Sequence, residues 1–335
     1  METTIKSKKR YDLSVEVLTE EVKKNSHFRK RIEKALEGTS DGRRMFECSE
    51  GTGSACGSVW CLGVRGCRVK KQKRMAGSYR ERVSKEGMTE AQGRTRFRHV
   101  SVLHDLVWMT KKKNGSYDFE RCLIDIEESA EGMRLEVKKL ARTLKERGFN
   151  IWGSGGIHLE LIDYDEMMFW EMGNRKAKTI LEWIDAREGV KKRGDRAMVV
   201  HFHILVDIEK MKEKDFDCIL RERWNETSRQ VYVQRTKTRI GRNKQTLDGS
   251  LVGIANYCFN GSNKRLMFEK FWGAGETVLE DAEEIDAKGR TVSYFNVVGE
   301  REDCEMLSES DIKLLVLAHN RVSGDSHRKL VIGIH

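Results

Sequence analysis

The chain reads as an α+β protein: an antiparallel sheet with helices packed on it. Three observations predict this. Between about 95 and 270, strand-like and helix-like runs alternate in the order strand, helix, strand, helix, strand, helix, short strand, helix. The run Met198 to Val206 is apolar apart from two histidines, as a strand buried at the middle of a sheet is. The run 119–147 instead repeats Met133, Val137, Leu140 and Leu144 at helical spacing, with Lys and Glu between them.

The elements follow in order. Residues 1–45 are polar, with Val15, Val17, Leu18, Val22, Ile32 and Leu36 forming amphipathic stripes, which predicts a helical N-terminal segment. Residues 46–75 are glycine-rich and hold Cys48, Cys56, Cys61 and Cys67, a small module of their own. Phe97 to Met109 reads as a strand with a turn near His104-Asp105, and the helix 119–147 ends at Gly148. Ile151 to Gly156 reads as a glycine-rich turn and Ile157 to Ile162 as a strand. Residues 166–187 read as a helix, 197–208 as the histidine strand, and 211–226 as a helix presenting Phe216, Ile219, Leu220 and Trp224. Val231-Tyr232-Val233 is a short strand, a basic loop runs from Arg235 to Asp248, and a short helix carries Tyr257. In 276–335, Val292 to Val298 and Val331 to Ile334 read as strands, and Ser308 to His319 as a helix capped by its serine. The expected organisation is therefore 1–45 helical, 46–75 cysteine-rich, 95–275 the main α+β domain with helices on one face of its sheet, and 276–335 accessory.

Bulk properties narrow the function. The 335 residues carry a net charge of +10, which favours a polyanionic partner such as nucleic acid. The surplus gathers at Lys70 to Arg74, Lys111 to Lys113, Lys191 to Arg193 and Arg235 to Lys244. With 35% charged residues and no apolar run near the ~20 needed to cross a bilayer, no membrane partner is expected. Met1 to Arg10 is polar and basic, without a signal peptide's apolar core, so the expected location is cytoplasmic, or the replication compartment of a host. No Gly-x4-Gly-Lys-Ser/Thr loop occurs, which speaks against a fused helicase. Proline is absent, so glycine and asparagine must make the turns.

The chemistry-bearing residues begin with His201-Phe202-His203. Strand alternation turns both imidazoles to one face and Val200, Phe202, Ile204 and Val206 to the other. Two imidazoles side by side on a buried strand either hold a divalent metal or are two satisfied histidines on a half-solvated face. His158 and Glu160 share a face of the preceding strand, Glu160 being either a ligand or a surface ion-pair residue. Tyr257 is either a nucleophile or a core tyrosine, with Tyr232 and Tyr294 as rivals. The clustered cysteines suggest structural zinc rather than disulfides, against unliganded thiols in a loop. Arg235, Lys237, Arg239, Arg242 and Lys244 either track a DNA backbone or form a solvated loop. Trp108, Trp152 and Phe202 read as core residues rather than base-stacking platforms.

The His201-Phe202-His203 run, the preceding Gly155 to Asp163 segment and the later Tyr257 together resemble the HUH endonuclease superfamily, and within it the single-tyrosine rolling-circle replication initiators (Rep proteins) of plasmids and viruses. The resemblance covers about 95–270. Cys56-x4-Cys61-Leu62, followed by Cys67 and basic residues, resembles the N-terminal cysteine segment of plasmid initiators, with Leu62 where proline is usual and five residues, not two, before Cys67; Cys48 is the candidate for a fourth ligand. The resemblance implies a ferredoxin-like sheet, with His201, His203 and Glu160 (His158 as second candidate) holding Mg²⁺ or Mn²⁺, and Zn²⁺ at the cysteines. It implies Tyr257 as the nucleophile that nicks single-stranded DNA at an origin or hairpin and later rejoins it, a nucleotidyltransferase reaction alongside a host helicase and polymerase. Relatives carry a lysine three or four residues after the tyrosine; here Asn260 and Gly261 stand there, and Lys264 is the nearest candidate. The first superfamily motif maps onto His99 to Leu103, with Ser101 keeping a hydroxyl. A transposase of the same superfamily would share the chemistry. A non-catalytic zinc-containing DNA-binding regulator is the alternative of a different class, and a phosphoesterase with paired His-x-Ser/Thr motifs is disfavoured because none occurs.

Overall fold

The computed structural model describes residues 26–61, 67–163, 179–180, 182–183, 195–236, 239–240, 243–259, 279–285, 291–297, 307–323 and 330–332. Most of the 166–187 helix expectation and the greater part of the N-terminal segment lie outside these residues. The first described elements are α1 (Ser26–Ala35), α2 (Ser40–Glu50), α3 (Cys67–Lys85) and α4 (Glu90–Arg96). They lead into β1 (Phe97–Trp108), α5 (Phe119–Glu146), β2 (Trp152–Asp163), β3 (Arg196–Asp207), α6 (Glu213–Arg223) and β4 (Val231–Arg235). The two-residue strands β5 (Arg239–Ile240) and β6 (Asn243–Lys244) precede α7 (Leu247–Cys258). The last described elements are β7 (Leu279–Ile285), β8 (Thr291–Val297), α8 (Glu309–Ser323) and β9 (Leu330–Ile332).

The protein is α+β, as its periodicities predict. Its main sheet has the order β4-β1-β3-β2-β9, and every neighbouring pair is antiparallel. The run of Val, Ile and Leu puts β3 at the centre, flanked on both edges and buried from Ala197 to Asp207. The long helix α5 forms because Leu123, Ile126, Ala130, Met133, Val137, Leu140 and Leu144 make one buried stripe, and Asp118 accepts from the Arg121 N–H at its start. Gly148, with φ +81°, supplies the left-handed residue that stops it. At α8 the Ser308 hydroxyl accepts from Asp311 N (3.2 Å) while Asp311 Oδ2 accepts from Ser308 N (3.0 Å), so the expected serine cap is reciprocal. Asp311 also accepts from Arg196 at 2.7 Å and from the Tyr117 hydroxyl at 2.6 Å, which fastens α8 to the start of β3.

Several sequence expectations change. The turn at His104-Asp105 is a bulge within one continuous strand: the register with β3 shifts between Leu103 and Asp105. The glycine-rich segment before Ile157 is strand, not turn. A Cβ at Gly155 would lie 1.9 Å from His203 O, and one at Gly156 2.4 Å from Cys258 O, so these glycines are where backbones meet. Helical residues meet both faces of the sheet rather than one: Trp224, after α6, packs on Phe202 (ring centroids 5.5 Å), while the end of α7 sits over Gly156 on the histidine side. The basic stretch 235–248 contains the small β5–β6 hairpin, with Arg239 opposite Lys244. Val292 to Val298 is found as β8, whose partner β7 the sequence reading did not anticipate; acidic Glu280 to Glu284 carries no clear strand alternation.

The cysteine segment is part of the main core. Cys48, Cys56, Trp60, Cys61 and Cys67 belong to the same buried cluster as Phe202, Ile204 and Leu140. The Trp60 indole donates to His319 Nδ1 at 3.1 Å, and His319 Nε2 donates to Ile157 O at 3.1 Å, linking that segment to β2 through α8.

Candidate functional site

Register assembles the site. His203 lies opposite Gly156 of β2 and Ser101 of β1, and His201 opposite His158. Alternation puts all of these on one face. His158, His201 and His203 are all buried, and their ligand nitrogens lie within 4.8 Å of one another. Their ring centroids stand 4.4 Å (His158–His203), 5.0 Å (His201–His203) and 5.4 Å (His158–His201) apart. Two of the rings are held from behind. His158 Nε2 donates to Cys258 O at 2.7 Å, and His203 Nδ1 meets Ser101 Oγ at 2.7 Å. Ligating imidazoles are commonly held this way, one nitrogen hydrogen-bonded and the other turned to the ion. The third member of the group is thus His158. Glu160, named first from the sequence, stands two residues along β2 with Oε2 4.0 Å from His201 Nε2, beside the group rather than within it.

Tyr257 reaches the same place from α7. Thr246 starts that helix by accepting from Gly249 N at 3.1 Å. Its last turn lies on β2 because Gly156 has no side chain to hold it away. The Tyr257 ring is 48% exposed, with its centroid 4.5 Å from His203, 5.6 Å from His99 and 6.0 Å from His158. Beside it opens a cleft of about 470 Å³ lined by His99, Ser101, Tyr232, Gln234, Gly253 and Ile254 among others. Of the rival tyrosines, Tyr232 stands on β4, across Ser101 from His203, and Tyr294 is in β8. Lys264 lies outside the described residues.

His99 is the residue sequence reasoning passed over. It is buried, its centroid is 5.5 Å from His203, and Gln234 Nε2 donates to its Nδ1 at 2.7 Å. The signal was available: His99 precedes Ser101 by two residues in a strand, so the two share a face.

The four cysteines converge. Cys48 comes from α2, Cys56 and Cys61 from the following loop, and Cys67 opens α3. All four are buried, with Sγ atoms within 4.8 Å of one another. The measured pairs are 3.5 Å (Cys48–Cys67), 3.7 Å (Cys48–Cys61) and 3.9 Å (Cys56–Cys67). These are far from the ~2.05 Å of a disulfide. A tetrahedron of sulfurs ~2.3 Å from a zinc ion has edges of about 3.8 Å, so the cluster has the dimensions of a four-thiolate zinc site. Hydrogen bonds among the thiols hold Cys67 low, from Cys56 and then Cys61, and push Cys56 up, first through Cys61. The irregular spacing in sequence is absorbed by placing two ligands on helices.

Of the five basic residues, Arg235 lines the cleft beside Tyr257. Arg235 ends β4 and its Nε donates to Glu213 at 2.8 Å. Arg239 pairs with Lys244 in the register of the β5–β6 hairpin, and Lys237 and Arg242 lie outside the described residues. Among the described residues no helix is long and apolar enough to cross a membrane. No protein-family model, curated protein or solved structure matches the chain.

Proposed function

We propose that the protein is a metal-dependent DNA nicking and joining enzyme of the HUH type, a rolling-circle replication initiator. One observation carries this reading: the exposed ring of Tyr257 lies 4.5 Å from His203, at the edge of three buried histidines grouped on adjoining central strands. The β–α–β–β–α–β order with sheet order β4-β1-β3-β2 supports the ferredoxin-like assignment made by resemblance.

His158, His201 and His203 would hold the ion, with Glu160 as the adjoining carboxylate. Three imidazoles favour Mn²⁺ over Mg²⁺, because imidazole suits the softer divalent ions and magnesium prefers oxygen. A bound ion would polarise the scissile phosphate and offset its developing charge. Ser101 and the Cys258 carbonyl fix the orientation of His203 and His158. Tyr257 supplies the nucleophile: its phenolic oxygen bonds to phosphorus as the bond to the 3′ oxygen breaks, leaving a 5′-phosphotyrosine and a 3′-hydroxyl after the phenol's proton is transferred. The reverse attack by that hydroxyl rejoins the strand. Zinc at Cys48, Cys56, Cys61 and Cys67 is structural.

The test is incubation with Mn²⁺ and circular single-stranded DNA of the chain's own element, followed by denaturing electrophoresis. The expected product is nicked DNA with protein covalently attached. Tyr257→Phe loses the adduct and keeps DNA binding, and His203→Ala loses cleavage. A zinc-containing DNA-binding regulator would bind and never become attached, which would overturn the reading.

A further inference from the structure

We infer that the cleft beside Tyr257 is a subsite for one unpaired nucleobase of single-stranded DNA, stacked on Tyr232. This rests on the nuclease reading for its placement next to the scissile phosphate, and on its own geometry for the binding. The cleft, about 470 Å³, falls within the size range of pockets that enclose a nucleotide-sized ligand. Its two aromatic walls are unusual: Tyr232 is 40% exposed and Tyr257 48%, and both face one opening. Exposed aromatic rings at a strand surface are how single-strand binders hold bases without reading sequence.

The floor of the cleft has been kept clear. Gly253 lies one helical turn before Tyr257, on the same side of α7, and a Cβ added there meets nothing within 4 Å. Glycine in a helix interior is unfavourable, so its presence here has a use: a side chain would occupy the cleft. Polar groups complete the walls, with Gln234 anchored on His99 and Ser101 on His203. Tyr232 sits one strand beyond Ser101, so His203, Ser101 and Tyr232 form a row across β3, β1 and β4. Two strand spacings, roughly 10 Å, separate the ends of that row. That is about the reach from a phosphate held at His203 to the base of its neighbouring nucleotide.

The experiment uses the full chain carrying Tyr257→Phe, which keeps the ring and blocks attack. Binding of a fluorescent twelve-residue oligothymidylate is compared with a fully abasic twelve-mer of equal charge. The expected preference for bases is about tenfold or more, as stacking contributes. Gly253→Leu and Tyr232→Ala should each lower that preference several-fold, with abasic binding unchanged, while Tyr232→Phe retains it. Leucine is the better helix former and its Cβ would meet nothing within 4 Å, so Gly253→Leu should melt no lower than its parent. In a second measurement, oligothymidylate substituted with 5-iodouracil should photocrosslink to Tyr232 in the parent and not in Gly253→Leu. An unchanged base preference in both variants, or crosslinks only elsewhere, overturns the subsite. If that happens while the unsubstituted chain still forms its phosphotyrosine adduct, only the subsite falls. Base preference with these variant effects but no adduct leaves the subsite standing and removes the nuclease reading.

Discussion

Gly156→Ala tests whether the fit of the tyrosine helix onto the sheet is what positions the site. The added Cβ would lie 2.4 Å from the backbone oxygen of Cys258, whereas ordinary contact begins near 3.4 Å, so α7 must retreat by about 1 Å (3.4 − 2.4). The Cys258 carbonyl accepts from His158 Nε2 at 2.7 Å; a 1 Å retreat stretches that to about 3.7 Å, beyond a hydrogen bond. Overpacking costs ~1–3 kcal/mol and the lost hydrogen bond about another 1 kcal/mol, so the fold should weaken by roughly 2–4 kcal/mol. The nucleophile moves with the helix, and a 1 Å misplacement costs on the order of 100-fold in rate. Urea denaturation reads the first effect and the rate of phosphotyrosine formation the second. Gly77→Ala in α3, away from the cleft, is the control: its Cβ meets nothing within 4 Å, so it should be neutral or stabilise by up to ~1 kcal/mol. Equal midpoints and equal rates for the two variants would refute the reasoning.

Cys48→Ser should release one zinc per chain, read by elemental analysis, and lower the melting temperature of the whole unit in a single transition, because the cysteines are in the common core. A small separate transition would contradict this. Burial alone would raise the Asp207 carboxyl, but hydrogen bonds from Arg96 and Arg82 and from Glu209 N–H outweigh it and hold it below the ordinary carboxylate range. A depressed carboxylate stabilises the fold above its unfolded value near pH 4, and that contribution is lost as pH falls through the lower folded value. Stability should therefore drop below about pH 4, and Asp207→Asn should flatten that limb while costing on the order of 3 kcal/mol at neutral pH, measured by denaturant titration across pH. Trp60→Phe removes the indole donor to buried His319 and should cost about 1–3 kcal/mol, with zinc content retained.

The sequence carried the elements and much of the site's membership. Period alone placed α5 and β3 nearly to the residue, since Met133, Val137, Leu140 and Leu144 can share one face only in a helix, and a run like Met198 to Leu205 is stable only when covered on both sides. The same alternation put His201 and His203 on one face before any register was known. What it could not supply was pairing across strands. Which of His158 and Glu160 stands nearer the histidine pair depends on the register between β2 and β3, which sets His158 opposite His201 and Glu160 opposite Val199. Glycines at 153, 155 and 156 read locally as a turn because their reason is another backbone pressing on them, which only the fold contains. Likewise the cysteines looked irregular along the chain, since distance in sequence says nothing about sulfurs that arrive from two helices and a loop. The sequence by itself thus determined which faces exist and which side chains they carry; the tertiary structure alone decided which faces meet, because contact between strands and helices depends on packing that no local periodicity encodes.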